Sequence, residues 1–195
     1  MKNQSIAAIT NNKPNEDQFG FAMIRPDGIR QSLDTIVIER MESDGLHIAK
    51  RKLFIMGEVE VNSIYGHLKE ENFYPDLQKS LIGQRALSML VYGDSQVTSR
   101  LINLKGSVLD TCGSIRGDYS LAHFLAGDLK KAYLQKKLKI NDITDNEFRQ
   151  RLQREDRLHT DDNIESARQS IRAIFTQFEL DEAARRYPQL KDFLS

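Results

Sequence analysis

The stretch LHTDDNIESA, residues 158–167, places a histidine just before a predicted helix. Asp162 is a favourable N-cap residue and Glu165 follows three positions later, so the pair has the pattern of a capping box and predicts a helix start just after His159. Backbone N–H groups at a helix start attract anions and disfavour an imidazolium, which keeps the ring neutral and nucleophilic. Such a histidine can accept a phosphoryl group, although a histidine in this position is more often an ordinary surface or capping residue.

Composition limits what the rest of the chain can be. The 195 residues are 39% hydrophobic and 29% charged, which suits one compact domain with a sizeable core. Lys plus Arg and Asp plus Glu number 28 each, so no global field directs the chain to nucleic acid or to an anionic membrane. The single Cys112 cannot form an internal disulfide, and neither a secretory core nor a membrane-spanning run follows Met1. We therefore expect a cytoplasmic protein in which any anion site is local.

Hydrophobic patterning predicts strands and helices from Phe19 onward. Residues 1–18 are rich in asparagine and lack an apolar period, so we expect a flexible tail without chemistry. An apolar run of strand length covers residues 19–24, and a turn containing Pro26 follows at residues 25–28. The other predicted strands are residues 46–54 and 86–91, and the other predicted helices are residues 33–41, residues 57–65 and the segment with Val97, Leu101 and Leu104 on its buried face.

Four blocks, in order along the chain, resemble the nucleoside diphosphate kinase family. They are FAMIRPD at residues 21–27, YGHLK at 65–69 followed by Phe73-Tyr74, SIRGDY at 114–119, and H-x-x-D-x-x-E-S-A at 159–167. The resemblance covers most of residues 19–178. It implies an α+β fold, namely a ferredoxin-like βαββαβ sandwich in which helices cover one antiparallel sheet. It also implies transfer of the γ-phosphate of a nucleoside triphosphate to a nucleoside diphosphate through a phosphohistidine at His159.

The resemblance also assigns roles around this histidine. Tyr65 would lie beside the phosphohistidine, and Arg25 would join the catalytic group. Phe73 would stack on the base, although ordinary helix packing explains Phe73 and Leu77 equally well. ATP would be the phosphoryl donor, with Mg²⁺ bound through the nucleotide phosphates and not by protein ligands. The residues that the resemblance assigns to nucleotide binding are Arg25, Lys69, Phe73, Leu77, Arg100, Arg116 and Asp156, of which Arg100 is matched only with a one-residue gap.

Several positions depart from the family pattern. Arg25 stands where the family has a lysine, which keeps the charge but changes its geometry. Carboxylates near the triphosphate would oppose phosphoryl transfer, which needs positioned positive charge. The alternative function is therefore a catalytically impaired nucleotide-binding or scaffold protein of the same fold. The other departures are Glu71 for an arginine of the nucleotide clamp, Asp156 for an asparagine, Asp161 for a serine, and Ser170 for the glutamate that orients the histidine.

The gap between Arg116 and His159 is much longer than in the family. Helical spacing and a capping-box pattern at Thr144 predict an inserted helical hairpin over residues 120–156, within a kinase-like domain of residues 19–195. Its many lysines and arginines form either a solvated face or an anion-binding lid. The neutral net charge and the lack of interleaved aromatic residues argue against nucleic-acid binding through this segment.

Two readings compete after His159. Apolar residues at helical spacing predict a helix that continues to Phe178, whereas the resemblance implies a short helix and a final strand at residues 171–175. We adopt the strand. The remaining C-terminal residues resemble the arm with which family members pack on a neighbouring subunit. The resemblance thus implies a homo-oligomer, either a dimer, a tetramer or a hexamer, that binds nucleoside di- and triphosphates.

Overall fold

Four strands form the centre of the fold. The computed structural model describes residues 17–106, 113–119 and 157–195, and within them an antiparallel sheet has the strand order β2-β3-β1-β4. With the helices that connect the strands, this order gives the ferredoxin-like α+β sandwich and confirms the predicted fold class. The strands are β1 (Phe19–Ile24), β2 (His47–Ile55), β3 (Arg85–Tyr92) and β4 (Leu158–Thr160).

Helices cover both faces of the sheet, because successive side chains of a strand point to opposite faces. Phe21 and Met23 of β1 pack into one apolar cluster, whereas Ala22 and Ile24 pack into another. The first cluster is covered by α3 (Glu58–Tyr65), α4 (Tyr74–Leu81), α7 (Ile164–Ile174), α8 (Gln177–Arg186) and α9 (Gln189–Leu194), and the second by α2 (Asp34–Ser43), α5 (Val97–Lys105) and α6 (Ile115–Tyr119).

Two short elements connect the larger ones near the end of β1 and after α3. The turn predicted at residues 25–28 is wrong, because a short helix α1 (Pro26–Arg30) begins there with Pro26 at its first position. Proline suits this position, since its fixed φ is helical and its missing N–H would have no intrahelical partner. A 3₁₀ turn (Gly66–Leu68) follows α3 and leads toward α4.

The strand predicted at residues 171–175 is also wrong. Helix α7 extends to Ile174, and Ala167, Ile171 and Ile174 form its buried face. The helical spacing of these apolar residues therefore prevails over the expectation from the resemblance. A new helix, α8, begins after Thr176, whose side chain accepts a hydrogen bond from the backbone N–H of Glu179. The last strand of the sheet is instead β4, which contains His159.

Arg157 joins the start of β4 to two distant segments. Its buried guanidinium donates from Nη1 to Asp27 Oδ2 at 2.7 Å and from Nε to the carbonyl oxygen of Tyr119 at 2.9 Å. Its own carbonyl oxygen accepts a hydrogen bond from the backbone N–H of Arg25 at 3.1 Å. These bonds fix β4, and with it His159, beside the end of β1.

Residues near the two ends of the chain make contacts that the sequence did not predict. Asp17, placed in the predicted tail, accepts hydrogen bonds at its Oδ1 from the backbone N–H and hydroxyl of Thr98, at 2.9 and 2.7 Å. At the other end, Leu190 and Phe193 are buried in the core of the same chain. The rest of the predicted tail, residues 1–16, and the predicted hairpin at 120–156 lie outside the described residues. Across the part of the chain that the structure describes, no helix is long and apolar enough to cross a bilayer.

Candidate active site

A cavity of about 770 Å³ lies where β4 meets α3, α5 and α7. Its walls include His159, Tyr65 and Arg25, which the sequence predicts as the catalytic group, although they are far apart along the chain. Arg116 from α6 lines the same cavity, and Phe73 and Leu77 line it at the start of α4. The structure thus brings together six of the residues singled out from the sequence.

His159 is held in the sheet and not in a loop before a helix. It pairs with Met23 across β1 and β4, and its ring packs edge-on against Tyr65, with ring centroids 4.9 Å apart. The side chain is 12% exposed. Its Nε2 is buried, and no group among the described residues forms a hydrogen bond with it. Because His159 lines the cavity and Nδ1 is not among the buried unpaired atoms, we infer that Nδ1 is the ring nitrogen that faces the cavity.

The helix start near the histidine differs from the prediction. Helix α7 begins at Ile164, and its N-cap is Asn163, whose Oδ1 accepts a hydrogen bond from the backbone N–H of Ser166 at 2.9 Å. The predicted capping box of Asp162 and Glu165 is therefore wrong. Asp162 instead forms an ion pair with Lys105, at 3.2 Å. Both Asp and Asn are good N-cap residues, so local sequence could not separate these two positions.

Asp161 lies next to the imidazole ring of His159, on the side of Nε2. Its carboxylate is buried, and its Oδ1 lies 3.5 Å from His159 Nε2. The same oxygen accepts a hydrogen bond from Ser170 Oγ at 3.2 Å. Two of the departures from the family pattern, Asp161 and Ser170, are therefore in contact with each other.

Three cationic side chains also line the cavity. Arg25 is buried, and its guanidinium carbon lies 5.7 Å from the centre of the Tyr65 ring. Arg116 donates from Nη1 to the carbonyl oxygen of Gly106 at 3.0 Å, which fixes the side chain at the cavity wall. Lys105 is the third cation of this wall. A ligand that carries several negative charges matches this lining.

Lys105 was missed in the sequence, although its position gives a usable signal. Val97, Leu101 and Lys105 are spaced four residues apart, which places the lysine on the buried face of α5. Its Nζ donates to the carbonyl oxygen of Thr160 at 3.1 Å and to Asp162 Oδ1 at 3.2 Å. A lysine on the apolar face of a helix is seldom buried without polar partners, so it marks a polar site next to the core.

Not every predicted binding residue reaches the cavity. Arg100 lies on another side of α5 and pairs with Asp44 at 3.0 Å and with Asp94 at 3.1 Å. Lys69 is exposed just after the 3₁₀ turn and lies outside the cavity lining. Asp156 lies outside the described residues. Lys105, from the end of the helix that contains Arg100, thus occupies the cavity wall where the sequence predicted Arg100.

Metal binding by the protein alone has no support within the described residues. No group of three or more His, Cys, Asp or Glu side chains in this part of the chain is placed to hold a metal ion. The acidic groups that line the cavity are Asp161, which accepts a hydrogen bond from Ser170, and Asp162, which pairs with Lys105. The cationic wall instead suits a ligand that brings its own phosphates, and with them any cation bound to those phosphates.

Comparisons with known proteins agree with this geometry. The sequence model of the nucleoside diphosphate kinase family matches residues 18–180. The nucleoside diphosphate kinase of Saccharolobus solfataricus is 32% identical over 104 residues, which are 52% of this chain and 75% of that protein. The enzyme of Methanosarcina mazei is 32% identical over 103 residues, covering 52% of this chain and 69% of that protein.

Solved structures extend the comparison to the fold. Apo nucleoside diphosphate kinase from Encephalitozoon cuniculi superposes with a TM-score of 0.61 at 22% identity, covering 83% of this chain and 91% of that one. The enzyme from Borrelia burgdorferi, a transition-state mimic with bound vanadate and ADP, gives the same score and identity and covers 83% and 89%. The chain therefore belongs to the nucleoside diphosphate kinase family, and its function is phosphotransfer between nucleotides.

Proposed function

We propose that the chain transfers the γ-phosphate of a nucleoside triphosphate to a nucleoside diphosphate through a phosphohistidine at His159. One observation carries this proposal: a largely buried histidine, whose Nε2 is shielded from solvent, lines a cavity whose wall also contains Arg25, Lys105 and Arg116. A neutral imidazole nitrogen is a nucleophile, and the three cations would surround the phosphates that it attacks.

The reaction is a ping-pong exchange with two balanced steps. In the first, Nδ1 of His159 attacks the γ-phosphorus, an N–P bond forms, and the bond from phosphorus to the bridging oxygen breaks, so that the diphosphate leaves with that oxygen. In the second, a terminal oxygen of another diphosphate attacks the phosphohistidine and the N–P bond breaks. Positioned cations stabilise the charge that spreads over the phosphoryl oxygens in both steps.

The remaining lining fits the nucleoside end of the ligand. Phe73 is half-buried and lines the cavity, and Leu77 lies next to it on α4. An aromatic face there would stack on a base of any identity, which agrees with an enzyme that exchanges phosphate between different nucleotides. Bound Mg²⁺ would arrive on the phosphates and neutralise part of their charge. Arg25, Lys105 and Arg116 would hold the oxygens of the phosphates.

We also propose that the chain forms a homo-oligomer in the cytoplasm. Strand β2 lies at one edge of the sheet, and it exposes Leu53 and Ile55, which are 59% and 64% accessible. Apolar residues on an unpaired strand edge favour pairing with another chain. A monomer in analytical ultracentrifugation at micromolar concentration would contradict this proposal. Dissociation of the oligomer into smaller species by the double change Leu53→Lys, Ile55→Lys would support it.

The competing reading, an impaired nucleotide-binding or scaffold protein, rests on the departures from the family pattern. Three observations weaken it. Arg25 still lies in the cavity although it replaces a lysine, and Lys105 adds a cation that the sequence did not reveal. Glu71, where the clamp arginine was expected, is exposed and lies outside the cavity lining.

Transfer of label from ATP tests the proposal directly. The protein incubated with ATP labelled at the γ position should acquire an acid-labile phosphoryl group, and His159→Ala should abolish it. His47→Ala is the matched control, because His47 is an exposed histidine on β2 outside the cavity, and it should be labelled like the wild type. A wild-type protein that binds ADP but takes up no label would establish the scaffold reading instead.

A further inference from the structure

We propose that Asp161 is the positioning residue of His159, holding a proton on Nε2 so that the lone pair of Nδ1 faces the cavity. The inference rests on the proposed function, because it concerns the histidine that would be phosphorylated. It assigns to Asp161 the orienting role that the resemblance gives to a glutamate at position 170, where this chain has a serine.

The first argument is geometric. His159 and Asp161 are separated by a single residue at the end of β4, so both side chains leave the strand on the same face. The Oδ1 of Asp161 lies 3.5 Å from Nε2. This distance is a few tenths of an ångström beyond the usual range of about 2.7–3.2 Å for an N–H···O hydrogen bond. Catalytic hydrogen bonds are often long in a ligand-free site and shorten when the ligand binds.

The second argument comes from unsatisfied polar atoms. Within the described residues, neither Nε2 of His159 nor Oδ2 of Asp161 has a hydrogen-bond partner, and both atoms are buried. A neutral imidazole has one N–H donor, and its other nitrogen is an acceptor. If the proton is on Nε2, the donor faces the carboxylate. If it is on Nδ1, two acceptors face each other in the interior, which is costly.

The third argument concerns charge during the reaction. When Nδ1 carries a phosphoryl group and Nε2 keeps its proton, the ring gains positive charge, and a nearby carboxylate stabilises that charge. The other charged groups that line the cavity are the cations Arg25, Lys105 and Arg116 and the carboxylate of Asp162. Asp162 is 82% exposed on its side chain and is paired with Lys105, so it is not placed for this role. Asp161 is therefore the carboxylate that faces the histidine.

Ser170 completes the arrangement. Its hydroxyl donates to Asp161 Oδ1 at 3.2 Å and so fixes the carboxylate from the buried face of α7. Relative to the family pattern, the carboxylate and the hydroxyl have exchanged positions across one contact: the serine of position 161 is an aspartate, and the glutamate of position 170 is a serine. Two departures that weaken the active site separately thus compensate each other when both are present.

Single-turnover phosphorylation by ATP tests this inference. Asp161→Asn should slow phosphorylation of His159 about 10- to 100-fold, the range seen when the hydrogen-bond partner of a metal-bound histidine is removed. Binding of ADP should be unchanged, because Asp161 is proposed to act on the ring and not on the nucleotide. Asp181→Asn is the control, since it removes one exposed carboxylate on α8 far from the cavity and should leave the rate unchanged.

Exchanging the side chains at positions 161 and 170 toward the family pattern gives a second test, which remains decisive if a single variant folds poorly. Asp161→Ser and Ser170→Glu should each be slow alone, whereas the double variant should recover most of the wild-type rate. A merely structural carboxylate would give no such recovery. A double variant no faster than its slower parent, or Asp161→Asn at the wild-type rate, would overturn the inference. With either of these outcomes, the proposed function still holds if the wild type takes up label. A wild type that takes up no label contradicts both the proposed function and this inference.

Discussion

The amino group of Lys105 donates a hydrogen bond to the carbonyl oxygen of Thr160 at 3.1 Å, next to the residue proposed as the nucleophile. One lysine thereby joins the end of α5 to β4 and adds a positive charge to the cavity. The bond to Asp162 at 3.2 Å holds the side chain in place. The lysine thus offsets the nearby carboxylate that the sequence places after the histidine.

Replacing this lysine should weaken nucleotide binding. Lys105→Met keeps much of the apolar stem but removes the charge, so we expect ATP affinity to fall about 10- to 100-fold, as hydrogen bonds to charged groups contribute about 1.5–3 kcal/mol. Isothermal titration at low and high salt measures the loss. Lys79→Met, an exposed lysine on α4, is the control and should leave affinity unchanged. An unaltered affinity for Lys105→Met would show that the lysine has only a structural role.

Phe73 distinguishes base stacking from plain packing. If the ring stacks on the base, Phe73→Ala should weaken ADP binding by about 1–3 kcal/mol but leave binding of inorganic triphosphate unchanged. If the ring only packs, the variant should lower the melting temperature and leave both affinities alone. Phe178→Ala is a matched control, because Phe178 is 74% exposed and lies on α8, outside the cavity.

Glu179 gives a pH-dependent contribution to stability. Burial opposes ionisation of this carboxyl, but hydrogen bonds from Lys52 and Thr176 outweigh it and lower its pKa from 4.5 to about 2. Because the pKa is lower in the folded state, the stabilisation is present above about pH 4.5 and disappears as the pH falls toward 2.

Urea unfolding of Glu179→Gln checks this expectation. The variant should lose about 1–2 kcal/mol at pH 7, a value reduced for partial solvent exposure, and the difference from wild type should shrink at pH 3. Glu182→Gln is the control. It breaks the ion pair of Glu182, which is 54% exposed, with Lys50, and should lower the free energy of unfolding by less than about 1 kcal/mol. A constant difference across the pH range would contradict the assignment to Glu179.

Removing one partner of the buried ion pair between Asp27 and Arg157 should strongly lower the free energy of unfolding. Asp27→Ala leaves the guanidinium of Arg157 buried without its carboxylate, so we expect a loss of about 3–5 kcal/mol in the free energy of unfolding. Asp44→Ala, which removes one partner from an exposed pair with Arg100, should cost at most about 1 kcal/mol. Denaturant unfolding of both variants gives the comparison, and equal losses would refute the role given to burial.

Much of the fold was predictable where an element is long enough to show a period. Strand β1 and helix α3 lie where the pattern placed them, and the ordered motifs predicted the chemical groups of the cavity. Strand β4 was missed because three residues are too few to show alternation. The strand expected at residues 171–175 failed because the resemblance was preferred to the helical spacing of Ala167, Ile171 and Ile174.

The details of the site depended on contacts between distant residues. Asp162 and Asn163 are equivalent as N-cap residues in isolation, and the lysine at position 105 decides between them by pairing with Asp162. Arg100 and Lys105 lie on the same helix; its four-residue spacing favours Lys105 for the buried face, but the family motif pointed to Arg100. The contact of Asp161 with Ser170 joins the residue after β4 to α7, and no local rule predicts it.

The hydrogen bond from Arg157 Nε to the carbonyl oxygen of Tyr119 brings together the two residues that flank the predicted insertion. For a segment whose ends are already tied together, the entropy of loop closure grows only with the logarithm of length, by about 0.6 kcal/mol for each doubling. Residues 120–156 could therefore be lengthened, shortened or replaced by another module at small thermodynamic cost to β4. Evolution, or an engineer, can use this position as an attachment point beside the cavity without rebuilding the domain.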